Sequence, residues 1–264
     1  MTAARRIAVK GIVQGVGFRP FIYNLALEHR LYGWVKNTSS GVIIEVEGED
    51  ADLRAFADQI NTQAPPLSQI DSINVEEIKP NGYSGFEIIA SESIPGAFIP
   101  ISPDVSICDD CRRELFDPQD ARYRYPFINC TNCGPRFSII QDIPYDRPAT
   151  TMAPFEMCSF CHGEYENPAN RRFHAQPVAC PECGPHIWLE VSGQPVAEKE
   201  QALQTARSLL KDGKILAIKG LGGFHLACDA GNDKAVKTLR ERKKRTDKPF
   251  AVMVFDAHTA QQYT

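Results

Sequence analysis

The chain has 264 residues, of which 43% are apolar and 23% charged, with a formal net charge of −4. That length holds two or three domains, the composition is ordinary for globular protein, and the mild acidity excludes a general attraction to nucleic acid or anionic membrane. No apolar run reaches the roughly 18 residues of a membrane span, and no apolar segment of a secretory signal follows Met1-Thr2-Ala3-Ala4-Arg5-Arg6, so a soluble, cytoplasmic protein with reduced thiols is expected.

Ile7-Ala8-Val9-Lys10 reads as a short strand that runs into Gly11-Ile12-Val13-Gln14-Gly15-Val16-Gly17-Phe18-Arg19-Pro20. A helix follows, because Pro20 suits a first helical turn and Phe18, Phe21, Ile22 and Leu25 form one apolar stripe. Gly33 to Asn37 and Val42 to Glu47 read as two strands of a hairpin around Thr38-Ser39-Ser40-Gly41. Asp50 or Asp52 is expected to cap a second helix carrying Leu53, Phe56, Ala57 and Ile60. Strands at Ile70 to Ile78 and Phe86 to Ile89 complete a β-α-β-β-α-β order, the ferredoxin-like split βαβ, with one added edge strand. The glycine-rich turn carries the chemistry. Gly15 and Gly17 permit a tight loop of N–H donors at a helix N-terminus, where a phosphate is favoured. Arg19 is placed to grip phosphate oxygens with two donors.

The run from Gly11 to Arg19 resembles the acylphosphatase signature, and Gly33-Trp34-Val35-Lys36-Asn37-Thr38-Ser39-Ser40-Gly41 resembles a second motif of that family. The resemblance implies an acyl phosphate held by Gln14, Gly15, Val16, Gly17, Phe18 and Arg19. It gives Arg19 and Asn37 the catalytic roles, Arg19 on the phosphoryl group and Asn37 orienting the attacking water. No metal or covalent intermediate is implied there; positioning and charge stabilisation suffice.

Ser91 to Pro103 reads as a linker whose Phe98, Ile99 and Ile101 pack along a surface. Eight of the nine cysteines follow in four Cys-x-x-Cys knuckles: Cys108/Cys111, Cys130/Cys133, Cys158/Cys161 and Cys180/Cys183. Each module reads C-x2-C-x18-C-x2-C, and the second repeats the first at a period of 50, with Glu114, Pro118, Arg122 and Gly134-Pro135 matched by Glu164, Pro168, Arg172 and Gly184-Pro185. This spacing predicts two structural zinc ions with four thiolates each and no open coordination position. Disulfides are the alternative. Pairing of knuckles within each module is preferred, with an interleaved pairing open. Eight thiolates around two Zn2+ add a formal −4, which Arg112, Arg113, Arg136, Arg171 and Arg172 offset locally. Tyr123, Tyr125 and Phe127 are read as core, Tyr145 to Met152 as a polar connector, and His162, His174 and His186 as non-ligands because the cysteines complete both sites.

Beyond Ile187 to Val191, a strand, the stripe Leu203, Ala206 and Leu210 predicts a helix ending near Gly213. Ile215 to Ile218 reads as a strand before the glycine-rich Lys219 to Phe224, and Asn232 or Asp233 caps a helix with Ala235, Val236 and Leu239. The basic run Arg240 to Arg245 precedes Lys248-Pro249 and a strand from Phe250 to Phe255. It is either a solvated helix end or a phosphate contact. Cys228 is read as a small buried apolar residue. This region resembles the beginning of YrdC-like domains, the fold of threonylcarbamoyl-AMP synthases, which implies ATP binding and makes Lys219, Arg242, Lys244, Arg245 and Lys248 nucleotide-binding candidates.

The whole order resembles the HypF family of hydrogenase maturation carbamoyltransferases, chiefly through the cysteine spacing and Asn129-Cys130-Thr131-Asn132-Cys133-Gly134-Pro135-Arg136-Phe137. The expected class is α+β: an acylphosphatase-like domain over 1–91, a linker over 92–107, tandem zinc-finger modules over 108–190 (108–140 and 158–190) and an incomplete YrdC-like domain over 198–264. The family resemblance implies carbamoyl phosphate as substrate, ATP with Mg2+ as co-substrate, and transfer of the carbamoyl group to the C-terminal cysteine of a HypE-type acceptor to form the cyanide ligand of the [NiFe] hydrogenase iron. No nucleic acid or membrane partner is expected. The chain reads as a fragment, with adenylation and transfer in doubt and the apolar run Phe250 to Phe255 left uncovered. Two rivals make other predictions: a zinc-ribbon nucleic-acid binder requires a basic surface, and a DnaJ-like chaperone module requires no role for Arg19.

Overall fold

The computed structural model describes residues 2–93, 96, 100–220 and 222–263. Ile94, Pro95, Phe98 and Ile99 of the linker and Leu221 of the second glycine-rich loop lie outside the described residues. The chain divides into two units, Met1–His186 and Ile187–Thr264.

In the first unit, alternation of apolar and polar residues sets the sheet. Strand β1 (Thr2–Ile12) pairs antiparallel with β3 (Gly41–Glu49) and β4 (Gln69–Ile78), and β2 (Tyr32–Thr38) pairs antiparallel with β3 and parallel with β5 (Phe86–Ile88). The order β4-β1-β3-β2-β5 is the ferredoxin-like arrangement with β5 as the added edge. Helices α1 (Phe18–Glu28) and α2 (Asp50–Thr62) cover one face. Their Phe18, Ile22, Leu25, Leu53, Phe56 and Ile60 join Ile7, Val9, Val42, Ile44 and Val46 in one core. On the opposite face of β3, Glu45 and Glu47 are also buried. Glu47 accepts the N–H groups of Asn81, Gly82 and Tyr83, while Glu45 accepts from Arg6 and the Tyr83 hydroxyl, so a loop is clamped over the sheet. One cap differs from expectation. Glu49 is the N-cap of α2, its side chain making no capping bond to the helix, and Asp50 and Asp52 lie in the first turn; there their charge suits the helix dipole and Asp50 pairs with Arg5 at 2.7 Å.

The cysteine modules form the rest of this unit. Each has a short helix that begins just after the first cysteine of its knuckle: α3 (Asp109–Phe116) after Cys108 and α4 (Ser159–Glu166) after Cys158. Tyr125 is buried in the module core, as expected, whereas Tyr123 and Phe127 are exposed. The segment read as a polar connector is packed: Tyr145, Thr150 and Met152 are buried, with a 3-10 turn at Arg147–Ala149 between them.

The second unit has hairpins β6 (Trp188–Val191) with β7 (Gln194–Glu198) and β8 (Leu216–Gly220) with β9 (Gly223–Ala227), and helices α5 (Lys199–Lys211), α6 (Asp233–Arg242) and α7 (Ala257–Gln261). Asn232 caps α6 by accepting the Ala235 N–H at 3.0 Å. The expected strand over Phe250 to Phe255 does not form. β-propensity is fitness for a paired, half-buried surface, and among the described residues no strand pairs with this run. Its Val252, Met253 and Phe255 are exposed, as expected for an uncovered apolar segment.

Candidate active site and its zinc frame

The four thiols of each module come together: Cys108, Cys111, Cys130 and Cys133 in one cluster, and Cys158, Cys161, Cys180 and Cys183 in the other, with all ligand atoms of a cluster within 4.8 Å of one another. Pairing is therefore local, not interleaved. The Sγ–Sγ distances are 3.7 Å for Cys108–Cys130 and Cys130–Cys133, 3.6 Å for Cys158–Cys180 and Cys161–Cys183, and 3.8 Å for Cys180–Cys183. A tetrahedron of sulfurs around zinc at about 2.3 Å has edges of about 3.8 Å, and a disulfide would need about 2.05 Å. The clusters fit zinc, and no histidine belongs to either.

The modules support each other through a reciprocal exchange across the 50-residue repeat. Arg122 Nε donates to Ala179 O at 2.8 Å, and the matching Arg172 Nε donates to Asn129 O at 3.1 Å. Arg122 pairs with Glu164 at 2.5 Å, and Arg172 pairs with Glu114 and, at 3.3 Å, with Glu164. Arg122 also reaches Cys161 Sγ at 3.4 Å, and Arg171 reaches Cys111 Sγ at 3.1 Å, so each module lends the other a cation beside its thiolates. Burial would raise the Glu114 carboxyl, but hydrogen bonds from Arg171 and Arg172 outweigh it and hold the group below the usual carboxylate range. The offsetting cations are thus Arg122, Arg171 and Arg172. Arg112 and Arg113 instead pair with Asp109 and Asp110 on their own exposed helix face.

On the acylphosphatase side, Gly15 and Gly17 have φ of 71° and 77°, which an L side chain disfavours. The N–H groups of Gly15, Val16 and Gly17 donate to no group among the described residues. Gln14, Gly15, Gly17, Phe18, Arg19 and Asn37 line one cleft of about 340 Å3, counting its open mouth, whereas Val16 is buried in the core. Gln14 fastens the loop, donating to Thr38 O at 2.8 Å and Gly41 O at 3.1 Å. Asn37 is 2% exposed and its Oδ1 has no partner among the described residues.

The other wall comes from the zinc region, which the sequence did not reveal. Thr131, Arg136, Tyr145, His174 and Gln176 line the same cleft. Tyr145 N donates to Gln14 Oε1 at 3.0 Å. Arg136, 2% exposed, donates through its guanidinium to Gly15 O and to the carbonyls of Cys130, Thr131, Cys133 and Pro135, and among the described residues the guanidinium forms no salt bridge. It thereby brings a positive charge beside the loop. Arg19 Nη2 meets Asp146 Oδ1 at 2.6 Å and Nη1 donates to Ser91 Oγ at 3.2 Å. Burial, followed by the Arg19 charge, lowers the His174 pKa to about 4, so its ring is neutral at pH 7. The weak signal for this wall was the Cys130–Phe137 run, dense in turn formers and carrying Arg136 just after the second knuckle.

Three family models match in order: Acylphosphatase at residues 5–88, HypF finger at 107–140 and 157–190, and Telomere recombination at 208–264. The chain is 52% identical to "Carbamoyltransferase HypF2" of Cupriavidus necator (strain H16) over 99% of its own length and 33% of that protein. The chain is a relative of the HypF carbamoyltransferases. It spans about a third of the length of the HypF proteins it matches. A solved structure described as full-length HypF in the phosphate- and nucleotide-bound form superposes with a TM-score of 0.89 at 53% identity, covering 99% of this chain and 34% of that one. The first domain is also 41% identical to the acylphosphatase of Thermotoga maritima, covering 94% of it and 32% of this chain. Two four-cysteine clusters within HypF finger regions carry two structural zinc ions.

Of the nucleotide candidates, Lys219 stands on β8 over the Phe224 ring, and Arg242 ends α6. Lys244 has a φ of 49°, Arg245 stacks on Phe250 and donates to Pro249 O, and Lys248 offers its carbonyl to Arg240. Cys228 is half-buried. Among the described residues no helix is long and apolar enough to cross a membrane.

Proposed function

We propose that this chain hydrolyses carbamoyl phosphate in the cleft between its acylphosphatase domain and its zinc modules. Gly15, Val16, Gly17 and Phe18 offer backbone N–H groups to the phosphoryl oxygens, and Arg19 supplies the charge that grows in value as the P–O bond loosens. Asn37 accepts a hydrogen bond from the attacking water. The water oxygen bonds to phosphorus, the bond from phosphorus to the acyl oxygen breaks, and carbamate leaves with that electron pair while the water's proton is released. The observation that carries this reading is the meeting of Arg19 with the unpartnered, buried Asn37 Oδ1 in one cleft beside a loop of free N–H groups.

In the whole protein, carbamate is then adenylated with ATP and Mg2+ and handed to the C-terminal cysteine of a HypE-type acceptor in the cytoplasm. This rests on the likeness to HypF carbamoyltransferases. Lys219, Arg242, Lys244, Arg245 and Lys248 are the nucleotide-facing candidates, within domain limits of 1–91, 108–190 and 198–264. Burial of Arg122, Arg136 and Arg172 speaks against the zinc region as a nucleic-acid binder, because these cations face inward.

Phosphate release from carbamoyl phosphate tests the reading. Arg19→Ala is expected to lower kcat/KM at least about hundredfold, the scale of losing a transition-state donor. Asn37→Ala should lower kcat with little change in KM, since water positioning acts on the chemical step. Equal turnover by wild type and Arg19→Ala would refute the assignment.

A further inference from the structure

Asp146 belongs to the segment between the two zinc modules, 127 residues from Arg19 in sequence, yet its Oδ1 lies 2.6 Å from Arg19 Nη2. A carboxylate against the arginine meant for a phosphate is an odd placement. It repels the anion that the loop attracts and removes part of the charge that would hold it. Helix-first acylphosphatase logic needs no such residue: the loop and the arginine suffice for any acyl phosphate. The Asp146 backbone is itself fixed, since Asp146 O accepts the Ala149 N–H at 2.8 Å and neighbouring Tyr145 is pinned to Gln14. Arg147 next to it is anchored by Gln176 O and Val178 O, both at 2.8 Å. A turn fixed in this way holds the carboxylate against Arg19, which, like Tyr145, lines the cleft. Its second oxygen, Oδ2, has no hydrogen-bond partner among the described residues, and the side chain is 26% exposed.

We infer that Asp146 is a specificity-determining residue, whose free oxygen accepts an N–H of the acyl group and so makes the site prefer a carbamoyl phosphate to an acetyl phosphate. In carbamoyl phosphate the nitrogen is joined to phosphorus through one carbon and one oxygen, so a phosphoryl group on Arg19 keeps that nitrogen near the partner of Arg19. A carboxylate is an acceptor only, and it strengthens a hydrogen bond from an amide donor. The methyl of an acetyl group donates nothing and would leave Oδ2 desolvated and unpaired, which is the costly state. The loop N–H groups do not discriminate in this way, because as donors they serve the phosphoryl oxygens common to both substrates. The inference rests on the acylphosphatase reading above and sharpens it from acyl phosphates in general to those with an N–H donor.

The test measures kcat/KM for carbamoyl phosphate and for acetyl phosphate with the zinc-loaded chain as wild type, Asp146→Ala and the isosteric Asp146→Asn, with two zinc ions per chain verified in each. The wild type is expected to favour carbamoyl phosphate, and that preference should fall at least tenfold in Asp146→Ala. Asp146→Asn, which keeps one acceptor oxygen without the charge, should fall between. If Asp146 only props Arg19, both substrates lose turnover by the same factor and the preference is unchanged, which overturns the inference while leaving the acylphosphatase reading intact. An absence of preference in the wild type overturns it too. If the wild type hydrolyses neither substrate, the acylphosphatase reading fails and the inference with it.

Discussion

The two zinc modules are copies with the same metal frame and different duties. Cysteines, the Arg122/Arg172 pair and the Glu114/Glu164 pair coincide at the period of 50, and even the backbone repeats: Arg124 and His174 both have positive φ, 59° and 51°, and their N–H groups bond Leu115 O and Tyr165 O. The surfaces diverge at matched positions. Where the first module has Arg136 buried on the phosphate loop, the second has the exposed His186. Where the second has His174 lining the cleft, the first has Arg124, which does not line it. Duplication kept what the metal and the reciprocal arginines require. The face toward the acylphosphatase loop was then free to specialise in each copy.

Metal removal should show the largest effect, and should affect both modules. A four-thiolate zinc site is folding energy for a region with little apolar core. Cys130→Ser and Cys180→Ser are each expected to drop zinc from two to one per chain by elemental analysis and to make the module region sensitive to limited proteolysis. Cys130→Ser should also abolish phosphate release, because Cys130 O and Thr131 O hold Arg136 against the loop. The matched positions 136 and 186 separate the copies next. Arg136→Ala removes the guanidinium donor from five carbonyls, two of these bonds being fully buried, and should cost about 3 kcal/mol in chemical denaturation, whereas His186→Ala should stay within about 0.5 kcal/mol. Equal costs would erase the proposed difference in duty.

The reciprocal pair sharpens the likeness instead. Glu114→Gln and Glu164→Gln each remove one carboxylate from buried arginines and are expected to destabilise by similar amounts, about 2–4 kcal/mol. The smallest effect is in pH dependence. The folded His174 pKa of about 4 lies below the unfolded value of about 6.5. The unfolded chain therefore takes the proton first, and the contribution of the neutral ring, present in full above about pH 6.5, is lost as pH falls toward 4. Comparison of wild type with His174→Gln should show the difference in stability shrinking over that window.

Much of this was legible in the chain. The knuckle spacing, the Gly15-to-Arg19 run and the β-α-β-β-α-β order are local patterns, each contained in a few dozen residues. The composite cleft was not. Tyr145-Asp146-Arg147-Pro148 looks like a polar connector because its partners, Gln14 and Arg19, are 131 and 127 residues away. The cap of α2 was misplaced by one or three residues because Glu49, Asp50 and Asp52 offer similar chemistry at adjacent positions. The run Phe250 to Phe255 has strand composition, but a strand exists only through its pairing.

One anion site is built from both the acylphosphatase loop and the first zinc module. Titration calorimetry of inorganic phosphate tests it most directly, using wild type, Arg19→Ala and Arg136→Ala, each at two zinc ions per chain. Both variants are expected to bind phosphate at least about tenfold more weakly than wild type. Undiminished phosphate binding by Arg136→Ala would contradict it and return the site to the acylphosphatase domain alone.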